Sequence, residues 1–216
     1  MVITGAIFDM DGTLLNSMDY WGTASSEYLT NLGLEPFHDC DKHFLEDGMV
    51  VWYETAVREH GLTQSFQEVS DGIYAIMDRH YSSSVALKDG VLDMLNRLRD
   101  KGVKMCLATA TNREQVERIL NRLGIAHFFS GIFTVKEVGV GKRKPLIYQM
   151  ANEFLGTDPS TTYVFEDAFY AITTCHDNGI KVVGVYDKNI YLPKEKLASL
   201  CDYYLDENDR YYFEIE

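Results

Sequence analysis

The chain has 216 residues, 46% hydrophobic and 25% charged, which is the balance of a soluble globular protein and not of a disordered, collagen-like or membrane-embedded one. Its 33 Asp and Glu outnumber 20 Lys and Arg, and the net charge of −13 sets it against nucleic acid and anionic membranes, which select basic patches. Four separated cysteines, Cys40, Cys106, Cys175 and Cys201, form no Cys-x-x-Cys pair and point to a reducing, cytoplasmic setting.

Residues 2–8 are a short apolar run closed by Asp9 and Gly12, the pattern of a buried strand entering a turn. The run lacks the basic flank of a signal peptide, and no later stretch reaches the roughly 20 apolar residues of a spanning helix. From residue 16 to 87 the periodicity is helical. Segments 25–34, 49–60 and 68–81 carry apolar residues three or four apart, with Gly33, Gly61 and Gly72 as punctuation.

Beyond Leu87 the rhythm changes. Residues 91–98 predict an amphipathic helix closed by Gly102. Strands at 103–108, 132–135, 163–165 and 181–185 alternate with helices at 114–123, 145–154 and 168–178, and 203–205 reads as a last strand. Such alternation makes right-handed βαβ units, so the expected class is α/β, a doubly wound parallel sheet. An all-helical insert interrupts it directly after the first strand. The expected domains are a catalytic core of 1–15 with 88–216 and a helical cap of 16–87.

In doubly wound sheets, ligands bind beyond the carboxyl ends of the strands. Four clusters stand there: Asp9-Met10-Asp11-Gly12-Thr13, Thr109-Ala110-Thr111-Asn112, Lys142 in Gly141-Lys142-Arg143-Lys144-Pro145, and Glu166-Asp167. If they converge, their carboxylates cannot all stay ionised without a cation. Hard oxygen ligands suit Mg²⁺. One carboxylate can attack phosphorus, and a second, two residues on, can protonate the leaving oxygen and then activate water. A threonine and a lysine can hold the phosphoryl oxygens. These are the ingredients of phosphoryl transfer.

Asp9-Met10-Asp11-Gly12-Thr13-Leu14 resembles the first motif, DxDGT, of the haloacid dehalogenase (HAD) superfamily. Thr109, the Lys142-Arg143-Lys144-Pro145 stretch and Val164-Phe165-Glu166-Asp167 resemble its other motifs, in order. The insert resembles the helical-bundle cap of subfamily IA, which includes the β-phosphoglucomutase-like phosphatases. The resemblance implies a Rossmannoid core with Asp9 as nucleophile and Asp11 as general acid/base. It implies that Thr109, with Ala110, binds phosphate and that Lys142 orients Asp9. It further implies Mg²⁺ held by Asp9, the Asp11 main-chain carbonyl and Asp167, with Glu166 beside or within the shell. Asn16 stands where the family often has Asp, Arg143 replaces the usual first proline and Leu146 a common Asp. Lys144 is therefore a rival of Lys142, which is preferred for its three-residue spacing to Pro145.

The implied activity is a Mg²⁺-dependent phosphatase acting on a small phosphomonoester through an aspartyl-phosphate. The alternatives are a sugar phosphomutase of the β-phosphoglucomutase type and a non-catalytic relative that binds a phosphorylated ligand. Gly48-Met49-Val50-Val51 lacks the Ser and Arg of the mutases' Gly-x-Ser-Arg stretch. The expected partner is a small phosphorylated metabolite, and the expected state a monomer or weak homodimer. Tyr20, Trp21, Trp52 and Tyr53 suit either a substrate wall or the core of the cap, with core favoured. The charge divides unevenly: residues 16–87 hold 12 acidic and 3 basic side chains and 202–216 hold 6 and 1. The remainder is nearly neutral. An acidic lid favours a substrate with a single phosphate.

Overall fold

The computed structural model describes residues 1–190, 192–209 and 211–215; Tyr191, Arg210 and Glu216, which the sequence reading placed in the core, lie outside the described residues. The apolar run at the N-terminus becomes β1 (Gly5–Phe8), buried at every position. It is the centre of one six-stranded parallel sheet with β2 (Lys104–Thr109), β3 (Ile132–Thr134), β4 (Thr162–Glu166), β5 (Val182–Val185) and β6 (Tyr203–Leu205). The spatial order is β3-β2-β1-β4-β5-β6. Parallel strands covered on both faces read as continuous apolar runs, as β1 does, and β4 is likewise buried at every position. The order reverses between β1 and β4, and that switch point is where such sheets open a crevice for ligands.

The chain divides into two compact units, Met1–Asn16 with Ala86–Glu216 and Ser17–Val85. In the first, α5 (Val91–Asp100) buries Val91, Met94, Leu95 and Leu98, a stripe of helical period. Further helices are α6 (Arg113–Arg122), α7 (Val135–Val138), α8 (Leu146–Leu155), α9 (Phe169–Asp177) and α10 (Lys194–Ala198). From α8, Ile147, Tyr148, Ala151 and Leu155 join Ile7, Cys106 and Val164 in the core. The third strand ends one residue earlier than its apolar run suggests, because the Thr134 hydroxyl accepts the Glu137 amide and starts α7. The Asn16 amide donates to Ala86 at 2.9 Å, which keeps both ends of the insert with the sheet.

The second unit holds α1 (Met18–Asn31), α2 (Cys40–Asp47), α3 (Met49–His60) and α4 (Phe66–Ser83). A reciprocal capping box between Ser65 and Glu68 fixes the start of α4. The eight residues of α2 fall within the helical stretch 16–87 but outside its three periodic segments, since their polar sequence carries little apolar period. The Asp41 carboxylate holds it in place by accepting Ser25 Oγ at 2.6 Å and the Ser26 amide at 2.9 Å. Trp52 is buried between Phe37 and Phe44, and Trp21 Nε1 donates to Tyr81 Oη at 3.2 Å. These aromatics build the core of their own unit.

Gly72 does not punctuate a helix; it lies inside α4, where an added Cβ would sit 2.2 Å from the Tyr28 ring. Helix propensity favours alanine by about 1 kcal/mol, but overpacking a buried ring costs about 1–3 kcal/mol. Gly72→Ala is therefore expected to lower stability by up to about 2 kcal/mol, measured by urea denaturation. Among the described residues no helix is long and apolar enough to cross a membrane.

Candidate active site

The register of the sheet assembles the site. Phe8 pairs with Leu107 on one side and Phe165 on the other, so Asp9 emerges beside Glu166. The Asp9 amide donates to the Phe165 carbonyl at 2.9 Å, which extends the ladder by one step. The chain then turns sharply: the Met10 carbonyl accepts the amides of both Leu14 and Leu15 at 2.9 Å. Gly12 at φ 80° makes that turn, a conformation glycine adopts without steric cost.

Three carboxylates converge there. Asp9, Glu166 and Asp167 are buried, and each offers an oxygen within 4.8 Å of the others. One ammonium group sits among them. Lys142 Nζ donates to Asp9 Oδ1 and lies 3.1 Å from Glu166 Oε2. Lys142 is buried while Lys144 is exposed, so the structure brings the first and not its rival to Asp9.

Electrostatics follow from burial. Desolvation raises the Asp9 pKa against the pull of Lys142, and Asp11 adds to the rise. Burial and the Asp9 charge lift Glu166 well above the usual carboxylate range. Burial, then Asp9, pushes Asp167 to about 8, although Lys88 opposes the shift. Burial also disfavours the Lys142 charge, but Asp9 and Glu166 outweigh it and hold this ammonium above the ordinary lysine value. With all three carboxylates ionised, the single ammonium would leave the cluster two charges short of neutral, a deficit that a divalent cation would offset and that burial otherwise meets by raising the carboxyl pKa values. The all-oxygen donor set fits Mg²⁺.

Around this centre stand the threonines of the first and second clusters. Thr109, the last residue of β2, is buried, and its Oγ1 accepts the Thr111 amide at 3.1 Å, which leaves the hydroxyl proton to donate. Ala110 follows at the exposed strand end. The Thr111 hydroxyl donates to Asp11 Oδ2 at 2.7 Å, and the Thr13 hydroxyl to Asp167 Oδ1 at 2.8 Å. The sequence reading gave Thr111 and Thr13 no role. It also missed the Lys88–Asp187 ion pair at 2.8 Å, whose charges act on Asp167. Asp187 follows β5 by two residues, and that strand-end position was the available signal.

A doubly wound sheet carrying an acid–lysine cluster at its switch point is the architecture of an α/β enzyme. Residues 3–179 match the haloacid dehalogenase-like hydrolase family, and the chain belongs to that family. It is similar to hexitol phosphatase B of Escherichia coli O157:H7, 28% identical over 93% of this chain and 94% of that one. The phosphorylated carbohydrates phosphatase of Thermotoga maritima is 26% identical over 83% of each. Among solved structures, a variant of CbbY from Rhodobacter sphaeroides in complex with xylulose-1,5-bisphosphate matches 94% of each chain with a TM-score of 0.81 at 19% identity. That likeness shows the shared fold, a Rossmann-like sheet with an inserted helical unit.

Proposed function

We propose that this phosphoric monoester hydrolase is a Mg²⁺-dependent phosphatase of a small phosphorylated metabolite, working through a phosphorylated Asp9. One observation carries the reading: the Asp9 turn at the sheet's switch point gathers three buried carboxylates, two of them paired with the buried Lys142. The relatives named above act, by their names, on hexitol phosphate and phosphorylated carbohydrates, which supports a sugar phosphate or similar compound as substrate.

In this reading Asp9 attacks phosphorus, and the leaving alcohol takes a proton from Asp11. Thr111, bonded to the Asp11 carboxylate, orients that acid. Asp11 then accepts a proton from the water that cleaves the acyl-phosphate, releasing inorganic phosphate and restoring Asp9. The Thr109 hydroxyl, with the amide of Ala110, binds phosphoryl oxygens. Lys142 orients Asp9 and faces the charge that develops on them. Glu166 holds Lys142. Asp9, Asp167 and the Asp11 main-chain carbonyl would hold Mg²⁺, with Glu166 beside them. When bound, the ion neutralises the carboxylates and polarises the phosphoryl group. The four free cysteines fit a reducing, cytoplasmic setting.

Phosphate release from a panel of sugar monophosphates and bisphosphates tests the proposal. Chelation by EDTA should cut turnover at least about 100-fold, the scale of a lost Lewis acid, and Mg²⁺ should restore it. Full activity in EDTA would sink the metal assignment. Interconversion of sugar monophosphates with little phosphate release would favour the mutase.

A further inference from the structure

The family match ends at residue 179, yet the last described segment, 211–215, returns to the site. Arg97 of α5 holds it with both arms of its guanidinium: Nη2 donates to the Tyr211 carbonyl and Nη1 to the Phe213 carbonyl, each at 2.9 Å. The Phe213 ring packs on Phe165, next to Glu166, with centroids 5.9 Å apart. The N-terminal ammonium of Met1 donates to the Glu214 carbonyl at 2.9 Å. These contacts alone would dock a tail.

Tyr211 does more. Its backbone stands at φ 58°, a left-handed conformation that is unfavourable for a bulky residue and persists only where its surroundings impose it. That twist buries the side chain and aims the hydroxyl at the site turn, where it donates to the main-chain carbonyl of Thr13. The hydroxyl of the same Thr13 donates to Asp167 Oδ1 at 2.8 Å. Tail, turn and carboxylate are thus joined by two consecutive hydrogen bonds.

We propose that Tyr211 is a positioning residue: its hydroxyl pins the Thr13 peptide, so that the Thr13 side chain fixes the orientation of the Asp167 carboxylate toward the cation. The inference rests on the reading of Asp167 as a metal ligand. Groups that orient metal ligands typically contribute about 10–100-fold to affinity, and Tyr211 stands one bond further out.

Tyr211→Phe keeps the ring and removes the donor; Tyr212→Phe, at a side chain 68% exposed, is the control. Two measurements are made on the full chain. Thermal shift is followed against Mg²⁺ concentration, and turnover is followed with p-nitrophenyl phosphate. Tyr211→Phe is expected to raise the Mg²⁺ midpoint about 3–10-fold and to lower kcat with KM unchanged, while Tyr212→Phe does neither. A merely structural tether would lower the melting temperature equally at every Mg²⁺ concentration and leave the midpoint in place, and that result would overturn the proposal. If the wild type shows no Mg²⁺-dependent shift, the metal reading itself fails. The proposal for Tyr211 then falls with it, whereas a wild-type shift with an unmoved Tyr211→Phe midpoint overturns the proposal alone.

Discussion

Asp9→Asn should reduce phosphate release by at least about 10⁴-fold, because the loss of a covalent nucleophile removes the reaction path and not merely a contact. An amide oxygen at this position would still lie beside Lys142, but it carries no charge with which to attack phosphorus. The site turn should survive, since its bonds run through the Met10 carbonyl and the Asp9 amide, both of the main chain. A folded, inactive protein is therefore the expected product, seen as an unchanged circular dichroism spectrum. Asp11→Asn should behave differently. Its amide can accept the Thr111 hydroxyl bond but can neither protonate the leaving alcohol nor activate water, a loss of about 10²–10⁴-fold. Acid quenching followed by peptide mass analysis separates the two. Wild type and Asp11→Asn should carry a phosphoryl group on the peptide containing Asp9, and Asp9→Asn should carry none. Wild-type turnover by Asp9→Asn would sink the covalent mechanism.

The parts of this molecule that were legible in the sequence are those written locally. The strand at 203–205 and the helix at 49–60 were readable from apolar spacing alone and fall where expected. That Asp9 and Glu166 stand at strand ends is legible in the sequence, which leaves their convergence a condition, and the parallel register is what meets it. Pairing Phe8 with Phe165 places the next residue of each strand side by side. What the sequence hid depends on partners distant along the chain. The eight residues of α2 take their helical shape beside Ser25 and Trp21, which no local period announces. Spacing to Pro145 favours Lys142, but only the turn of the loop, which buries that side chain and leaves Lys144 exposed, separates the two in space. Tyr211 contacts Thr13 across 198 residues, and its left-handed backbone belongs to a residue type that gives no hint of it.

Lys142→Met tests the electrostatic centre directly, since methionine has nearly the same length without the charge. It leaves Asp9, Glu166 and Asp167 buried together with no ammonium among them, and removing one partner of a buried ion pair costs about 3–5 kcal/mol. Protonation limits that loss at low pH, and the sign can be worked out. A carboxylate whose folded pKa lies above its unfolded value holds more protons when folded, so stability falls as pH rises between the two values. For Asp167 in the native protein that interval runs from 3.8 to about 8. Without Lys142 the Asp9 and Glu166 carboxylates lose the one charge that opposes their rise. The gap in melting temperature between variant and wild type should therefore be small near pH 4 and widen up to pH 8. Saturating Mg²⁺ should narrow it by supplying positive charge to the same oxygens. Turnover should fall about 10²–10³-fold, the scale of a lost charge-stabilising donor. Lys144→Met, at an exposed position, should change stability by no more than about 0.5 kcal/mol and leave turnover near wild type. A gap that stays constant from pH 4 to 8 would show that Lys142 acts through packing alone.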